Sequence, residues 1–509
     1  MYDTISQTML FKRSLFPVFI LIVALTLLFA SWSVMHGDIN FISDVARDMF
    51  LFEEILQKKL TLIGPRASVG GLFHGPLWSY LTLPGFIIGN GNPVVVGWYW
   101  IGLITLTLFA WYQVMKRLFG RPSAILGVLF TSLYFVFHSN SLFNPDGAMF
   151  LIPIFYFMVV RYGETVKLSY LVWALLLLGA IIQFQMAIGV PFLILMFPLT
   201  AFIALKNKKP FHLLIFALIP VLLSNFILFD FRHEHILIKN ALRHLGTHDS
   251  ASTISSLFWD RVMYLYSRIE FLRFGPPNGQ LYSMLLFVVF LIIQLIQNIH
   301  RNKYLLFLYF FLGYFGLSLL NRYNLLTHYV SPLIPFLFLI FCSFATSKYA
   351  KTFYVLFAVI YGLNVIGAYN YIQSLNRFIG YDQYSWKAMY DATTTLVKNE
   401  PEEFGYFVYA PDIVGYGPRY AMQYANKMYG NKGTAFEKKP ITYLFIEPAA
   451  RNNSFTSKDK WKRDQIHITS TPTLTKSFYC GYSYERQILT DEEQKQSFDP
   501  GVNPGLHYR

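Results

Sequence analysis

Long apolar runs alternate with short polar loops through the first three-quarters of the chain. A helix of about 20 apolar residues spans a bilayer, and some eleven such runs occur here. They lie near 14–35, 93–115, 122–137, 148–160, 168–184, 188–205, 211–229, 281–299, 304–320, 330–347 and 352–372. The alternating apolar and polar strands of a transmembrane barrel are absent. A membrane helix satisfies its own backbone hydrogen bonds, so the pattern predicts a polytopic α-helical membrane protein. Polar residues dominate three longer stretches, about 36–92, about 230–280 and the tail from about 376. In the tail, Phe404–Tyr409 and Ile441–Ile446 are β-branched and aromatic runs that end near Pro411 and Pro448, and read as strands. Arg419–Tyr429 has helical spacing, and Ser477–Leu489 reads as a further strand or hairpin. The expected organisation is a membrane domain over 1–375, with a first outer loop at 36–92, followed by a small soluble α/β domain over 376–509.

Composition agrees with that class. Hydrophobic residues make up 54% of the chain and charged ones 14%, whereas globular chains carry about 25% charge. The first apolar run is too long for a signal peptide and lacks a small-residue cleavage site, so a retained anchor is expected. Cys342 falls in a membrane segment and Cys480 in the tail, which predicts neither a disulfide framework nor a metal-thiolate site.

The net charge of +14 invites a nucleic-acid partner, but its distribution argues against one. Lys12, Arg13, Lys116, Arg117, Arg121, Arg161, Lys167, Lys206, Lys208, Lys209, Arg301, Lys303, Lys348 and Lys351 all flank alternate ends of the apolar runs. By the positive-inside rule these short loops are cytoplasmic. A multi-pass protein of the bacterial inner (plasma) membrane follows, its N-terminus cytoplasmic and its C-terminal domain extracytoplasmic. No cytoplasmic loop is long enough to hold a nucleotide, and neither GxxxxGK[ST] nor GxGxxG after a strand occurs. An activated group used on the outer face would therefore arrive on a lipid.

The first outer loop holds the densest acidic run of the apolar half. Asp44 and Asp48 share a helical face, with Arg47 beside them and Ser43 as the expected N-cap. Two readings stand side by side: a juxtamembrane ion pair, or a site with two carboxylates and an arginine. Asn144-Pro-Asp146-Gly147 is turn chemistry, leaving Asp146 as a cap or a second acid. In Asn321–Tyr329, Arg322 and His328 suit a phosphate, or else the stretch is an interfacial anchor with Tyr329 at headgroup level. The 230–280 stretch carries Arg232, Arg243, Arg261, Arg268 and Arg273, which suit an anionic headgroup or lipid phosphate. Its histidines lack a metal-ligand spacing.

Together, Asp44-Val-Ala-Arg47-Asp48, Glu53-Glu54-Ile-Leu, Leu62-Ile-Gly-Pro65 and His74-Gly-Pro76-Leu-Trp-Ser-Tyr80 resemble the first outer loop of the glycosyltransferase C superfamily. The likeness is to its protein O-mannosyltransferase and aminoarabinose-lipid A transferase branch (family 39-type). Asn144-Pro-Asp146 resembles that branch's second acidic element. His328-Tyr329 with Pro332 and Pro335 resembles its Arg/His-Tyr-x-x-Pro stretch. Val45 stands where many members have Glu, and Asp48 follows one turn on. The resemblance covers roughly 14–375.

The resemblance implies an inverting glycosyltransferase that moves a sugar from a polyprenyl-phosphate donor to a lipid, glycan or protein acceptor on the extracytoplasmic face. Asp44 would be the base, with Asp48 or Asp146 orienting the acceptor. Arg322 and His328 would meet the leaving phosphate, with Arg66 and the 230–280 arginines behind them. Arg47, His74, Asn144 and Tyr329 would complete the binding set. Membrane lipids would surround the chain, and no metal or other cofactor is expected. The alternatives are a flippase or transporter, and a ligase or polymerase using pyrophosphate-linked glycans. A transporter would bury charge at mid-membrane, and these apolar runs contain almost none.

Overall fold

The computed structural model describes residues 2–57, 60–67, 70–140, 143–246, 253–268, 277–320, 329–411, 414–448 and 457–502. Among them, helices fill the apolar part of the chain and one five-stranded sheet lies toward the C-terminus. They divide into two compact units. One comprises Met1–Ser31, Leu62–Leu81 and Trp100–Tyr371, the other Trp32–Thr61, Thr82–Tyr99 and Ile372–Arg509.

Among the described residues, four helices are long and apolar enough to cross a membrane: Pro93–Phe119, Asn144–Thr165, Met186–Lys206 and Ala350–Phe378. Leu168–Phe184 and Ser331–Thr346 are shorter apolar segments. The run predicted as one segment over 211–229 is broken. Pro210–Leu222 and Ser224–Arg232 meet at 48°, and the first of them starts as a 3-10 helix over Pro210–Ala217. Pro220 follows that 3-10 segment, and having no N–H and a ring that crowds the preceding turn it disfavours a regular α-helix there.

The run at 330–347 also departs from a regular span. It winds as a 3-10 turn at Ser331–Leu333, an α-helix at Ile334–Cys342 and a second 3-10 turn at Ser343–Thr346. Every residue of Ile334–Cys342 is buried. A helix apolar on all sides belongs in a core. Here Phe338 meets the Phe130 ring at 4.7 Å, and Phe341 meets Phe287 at 4.5 Å.

A further correction concerns Asn144-Pro-Asp-Gly. These residues form no separate turn, but the first turn of the Asn144–Thr165 helix. Proline suits that position because the first helical N–H groups lack partners in any case.

In the second unit the sheet runs in the order β2-β1-β3-β5-β4. The strands are β1 (Phe404–Tyr409), β2 (Gly433–Ala435), β3 (Ile441–Ile446), β4 (Leu474–Ser477) and β5 (Ser483–Ile488). β1 pairs in parallel with β2 and β3, while β5 runs antiparallel to both β3 and β4. Every residue of β1 and β3 is buried, as expected for central parallel strands. The helix Tyr416–Met428 is the crossover between β1 and β2.

Glu493 pins the C-terminal edge of this unit. Its Oε1 accepts from the N–H groups of Thr469 and Ser470 at 2.7 and 2.8 Å, and its Oε2 from that of Thr490 at 3.1 Å. Burial works against its charge, but these donors outweigh it and lower the pKa from 4.5 to about 2. The folded state therefore gains stability above pH 4.5 and loses it as pH falls from 4.5 toward 2. Glu493→Gln is expected to cost about 3 kcal/mol at neutral pH and to flatten that acid limb. Pulse proteolysis of the full-length chain across this pH range reads both effects. An unchanged acid limb in the variant would refute this assignment.

Candidate functional site

Asp44, Arg47 and Asp48 lie together on the helix Ser43–Leu56 of the second unit. The N-cap position falls on Ile42 rather than on the expected Ser43, which is the first helical residue. Arg47 bridges both acids: its Nη1 lies 2.6 Å from Asp44 Oδ1, and its Nη2 3.1 Å from Asp48 Oδ1. The side chains differ sharply in exposure, at 49% for Asp44, 14% for Arg47 and 4% for Asp48. Burial works against the guanidinium's charge, but Asp48 and Asp44 outweigh it and raise its pKa, so it stays a cation. Asp48 is thus the buried counterion that orients Arg47. Asp44 keeps a solvent-facing carboxylate, the group of the three able to take a proton from an incoming hydroxyl.

The loop before this helix is tied down by Asp38, a residue outside the motif. Asp38 Oδ1 accepts from Ile39 N–H at 2.8 Å and Lys387 N–H at 3.1 Å. Its Oδ2 accepts from the Ser385 hydroxyl at 2.6 Å and Gly380 N–H at 3.2 Å. Burial outweighs these bonds and raises the Asp38 pKa. Phe41 then packs on Trp386 at 4.9 Å, Phe50 on Tyr420 at 5.3 Å, and Gln423 donates to Glu53 at 2.5 Å. Both ends of the Asp44 helix are therefore fixed within its own unit.

His74, Asn144 and Asp146 belong to the first unit, where Asn144 and Gly75, the neighbour of His74, both bond to the Gln183–Phe184 corner. The chain folds back on itself at 64–74, with Gly64 N–H donating to the His74 carbonyl and His74 N–H to the Pro65 carbonyl, each at 2.8 Å. Gly75 N–H donates to the Gln183 carbonyl at 2.8 Å, and Asn144 Nδ2 to the Phe184 carbonyl at 2.9 Å. The glycines are there for close approach. A Cβ on Gly64 would lie 2.2 Å from the Gly75 oxygen, and one on Gly75 would lie 1.6 Å from Gln183 Oε1. Asp146 accepts from Phe143 N–H at 2.9 Å, the capping role allowed by the sequence. Arg66, exposed, bridges to Phe73 across the fold-back.

Arg322 and His328 lie outside the described residues. Tyr329 is described, and its carbonyl accepts from the Tyr314 hydroxyl at 2.8 Å. Tyr314 in turn lines a recess with Arg261, Phe311, Phe315, Val330 and Leu333. Arg261 is only 3% exposed, a guanidinium set among apolar and aromatic walls. The sequence marks it only as one basic residue among several in 230–280. A faint signal was present, since Leu257, Arg261 and Leu265 fall on one helical face. Among the described residues, no cluster of His, Cys, Asp and Glu has the arrangement of a metal site.

No known family profile matches the chain, and no curated protein matches it in sequence. Its fold does match solved structures. ArnT from Cupriavidus metallidurans bound to undecaprenyl phosphate aligns with TM-score 0.60 at 10% identity, covering 92% of this chain and 97% of that one. Apo ArnT from the same organism gives TM-score 0.61 at 9% identity, covering 93% and 98%. The Archaeoglobus fulgidus oligosaccharyltransferase in complex with Zn and sulfate gives TM-score 0.43 at 11% identity, covering 84% and 67%. The chain thus has the fold of ArnT.

Proposed function

We propose that this chain is an integral-membrane inverting glycosyltransferase that takes a sugar from a polyprenyl-phosphate donor on the extracytoplasmic face of the bacterial inner membrane. The observation that carries this reading is the Asp44–Arg47–Asp48 cluster, held on a tethered helix in a fold shared with a protein crystallised with undecaprenyl phosphate. In the proposed reaction the acceptor oxygen attacks the anomeric carbon. Asp44 takes the hydroxyl proton, and the bond from that carbon to the phosphate oxygen breaks with inversion. Asp48 holds Arg47, and Asp146 is the second acid. Arg261, Arg66, Arg322 and His328 are the candidates for the leaving phosphate, with His74, Asn144 and Tyr329 as further candidates for donor binding.

The proposal includes about eleven crossings, matching the sequence runs of span length. Residues 1–375 would form the catalytic membrane domain and 376–509 an extracytoplasmic domain. The acceptor is a lipid, glycan or protein hydroxyl.

The purified chain, incubated with a polyprenyl-phosphate hexose or pentose and an envelope-lipid extract, is expected to release free polyprenyl phosphate. Mass spectrometry should find the sugar on an acceptor, with inverted anomeric configuration. Consumption of a pyrophosphate-linked glycan instead would favour a ligase. Consumption of neither donor class would remove the glycosyltransferase reading.

A further inference from the structure

We propose that the helix Ile236–Gly246 docks on the headgroups of anionic lipids in the surrounding leaflet. The inference needs only that the preceding segment lies in the membrane, and it does not depend on the transfer reaction.

The inner face of this helix is fixed. Leu237 and Ile236 pack with Ile63, Phe73 and Phe229. The Asn240 amide sits against Gly71, where an added Cβ would lie 2.1 Å from Nδ2. Asp230 caps the start, accepting from Leu237 N–H at 2.7 Å. The outer face has a different character. Ile238 and Leu242, one turn apart, are 56% and 64% exposed. Lys239 and Arg243, also one turn apart, lie exposed on the adjoining arc. Arg232 is exposed just before the helix, and Glu234 is the single exposed acid of residues 231–243.

An apolar edge beside a basic edge is the form of an interfacial helix. The apolar side chains enter the acyl boundary, while Lys and Arg reach up to the phosphates. Two observations select lipid as the occupant. First, the chain arrives from the bent span-length pair, whose last turns expose Leu228 and Phe231, so the apolar edge continues a lipid-facing run. Second, three exposed cations against one acid complement an anionic leaflet.

Leu242→Cys in a Cys342→Ser/Cys480→Ser background, carrying an environment-sensitive fluorophore in nanodiscs, tests the placement. Spin-labelled lipids are expected to quench it at least about twofold more than the same probe on Asp459→Cys, an exposed site in the soluble part. The charge is tested by lipid retention from nanodiscs of about 30% phosphatidylglycerol in phosphatidylcholine. There Lys239→Gln/Arg243→Gln should lower the preference for phosphatidylglycerol on the order of tenfold. Both positions are exposed, so the packed face stays intact. Aqueous quenching equal to the Asp459 control overturns the proposal, and so does an unchanged lipid preference. A probe shielded from both water and lipid would assign the face to a protein partner, which also overturns it.

Discussion

Asp44→Asn is expected to lower turnover by about a hundredfold or more while donor binding stays near that of the unaltered chain. The substitution is conservative in shape. The amide oxygen still accepts from Arg47 Nη1, now 2.6 Å from Asp44 Oδ1, so the helix and its ion pair keep their geometry. What is lost is a basic oxygen, and a base acts in the transition state rather than in the ground state. Asp48→Asn should behave differently. Asp48 is buried against Arg47, so neutralising it weakens the guanidinium's anchoring and reduces stability together with activity. Steady-state kinetics, donor binding and thermal unfolding of both variants separate the cases. Turnover that survives Asp44→Asn but fails in Asp48→Asn would move the base one turn along the helix. Loss of folding in both would reduce the cluster to a structural ion pair.

The sequence made this cluster visible because an i,i+4 spacing survives folding. Residues one turn apart on a helix stay neighbours whatever packs around them. The same holds for β1 and β3, whose apolar runs are buried on both faces and therefore unbroken. β2 escaped notice because Gly433–Ala435 is three residues with no pattern of its own, a strand only because β1 offers an edge to pair with. Asn144-Pro-Asp-Gly misled because a proline at the second position suits a tight turn and a helix start equally well. Asp38 was illegible for another reason. Its partners Gly380, Ser385 and Lys387 are some 340 residues away, and no local spacing announces a carboxylate that three donors from distant chain will close around. Arg261 gave only the weak signal of one helical face, since its burial depends on Phe311 and Tyr314 from another helix.

Arg261 also carries the second large prediction. Arg261→Ala is expected to lower kcat/KM for a polyprenyl-phosphate donor by on the order of a hundredfold, the cost of removing one preorganised group from a developing oxyanion. The walls of its recess explain why one cation should matter so much. Phe311, Tyr314, Phe315, Val330 and Leu333 surround it with apolar and aromatic surface, and a charge attracts a phosphate more strongly in a low-dielectric setting than at an open surface. Arg261→Lys should recover only part of the loss, because an ammonium keeps the charge without the planar fork that meets two phosphate oxygens. Thermal unfolding of each variant checks that the recess remains folded. The outcome also discriminates between two stretches of the chain. Full activity in Arg261→Ala together with loss in Arg322→Ala would assign the leaving phosphate to the Asn321–Tyr329 stretch, leaving Arg261 as packing. Loss in both would place two guanidinium groups on one phosphate, consistent with the Tyr314 hydroxyl that joins the recess to the Tyr329 backbone at 2.8 Å.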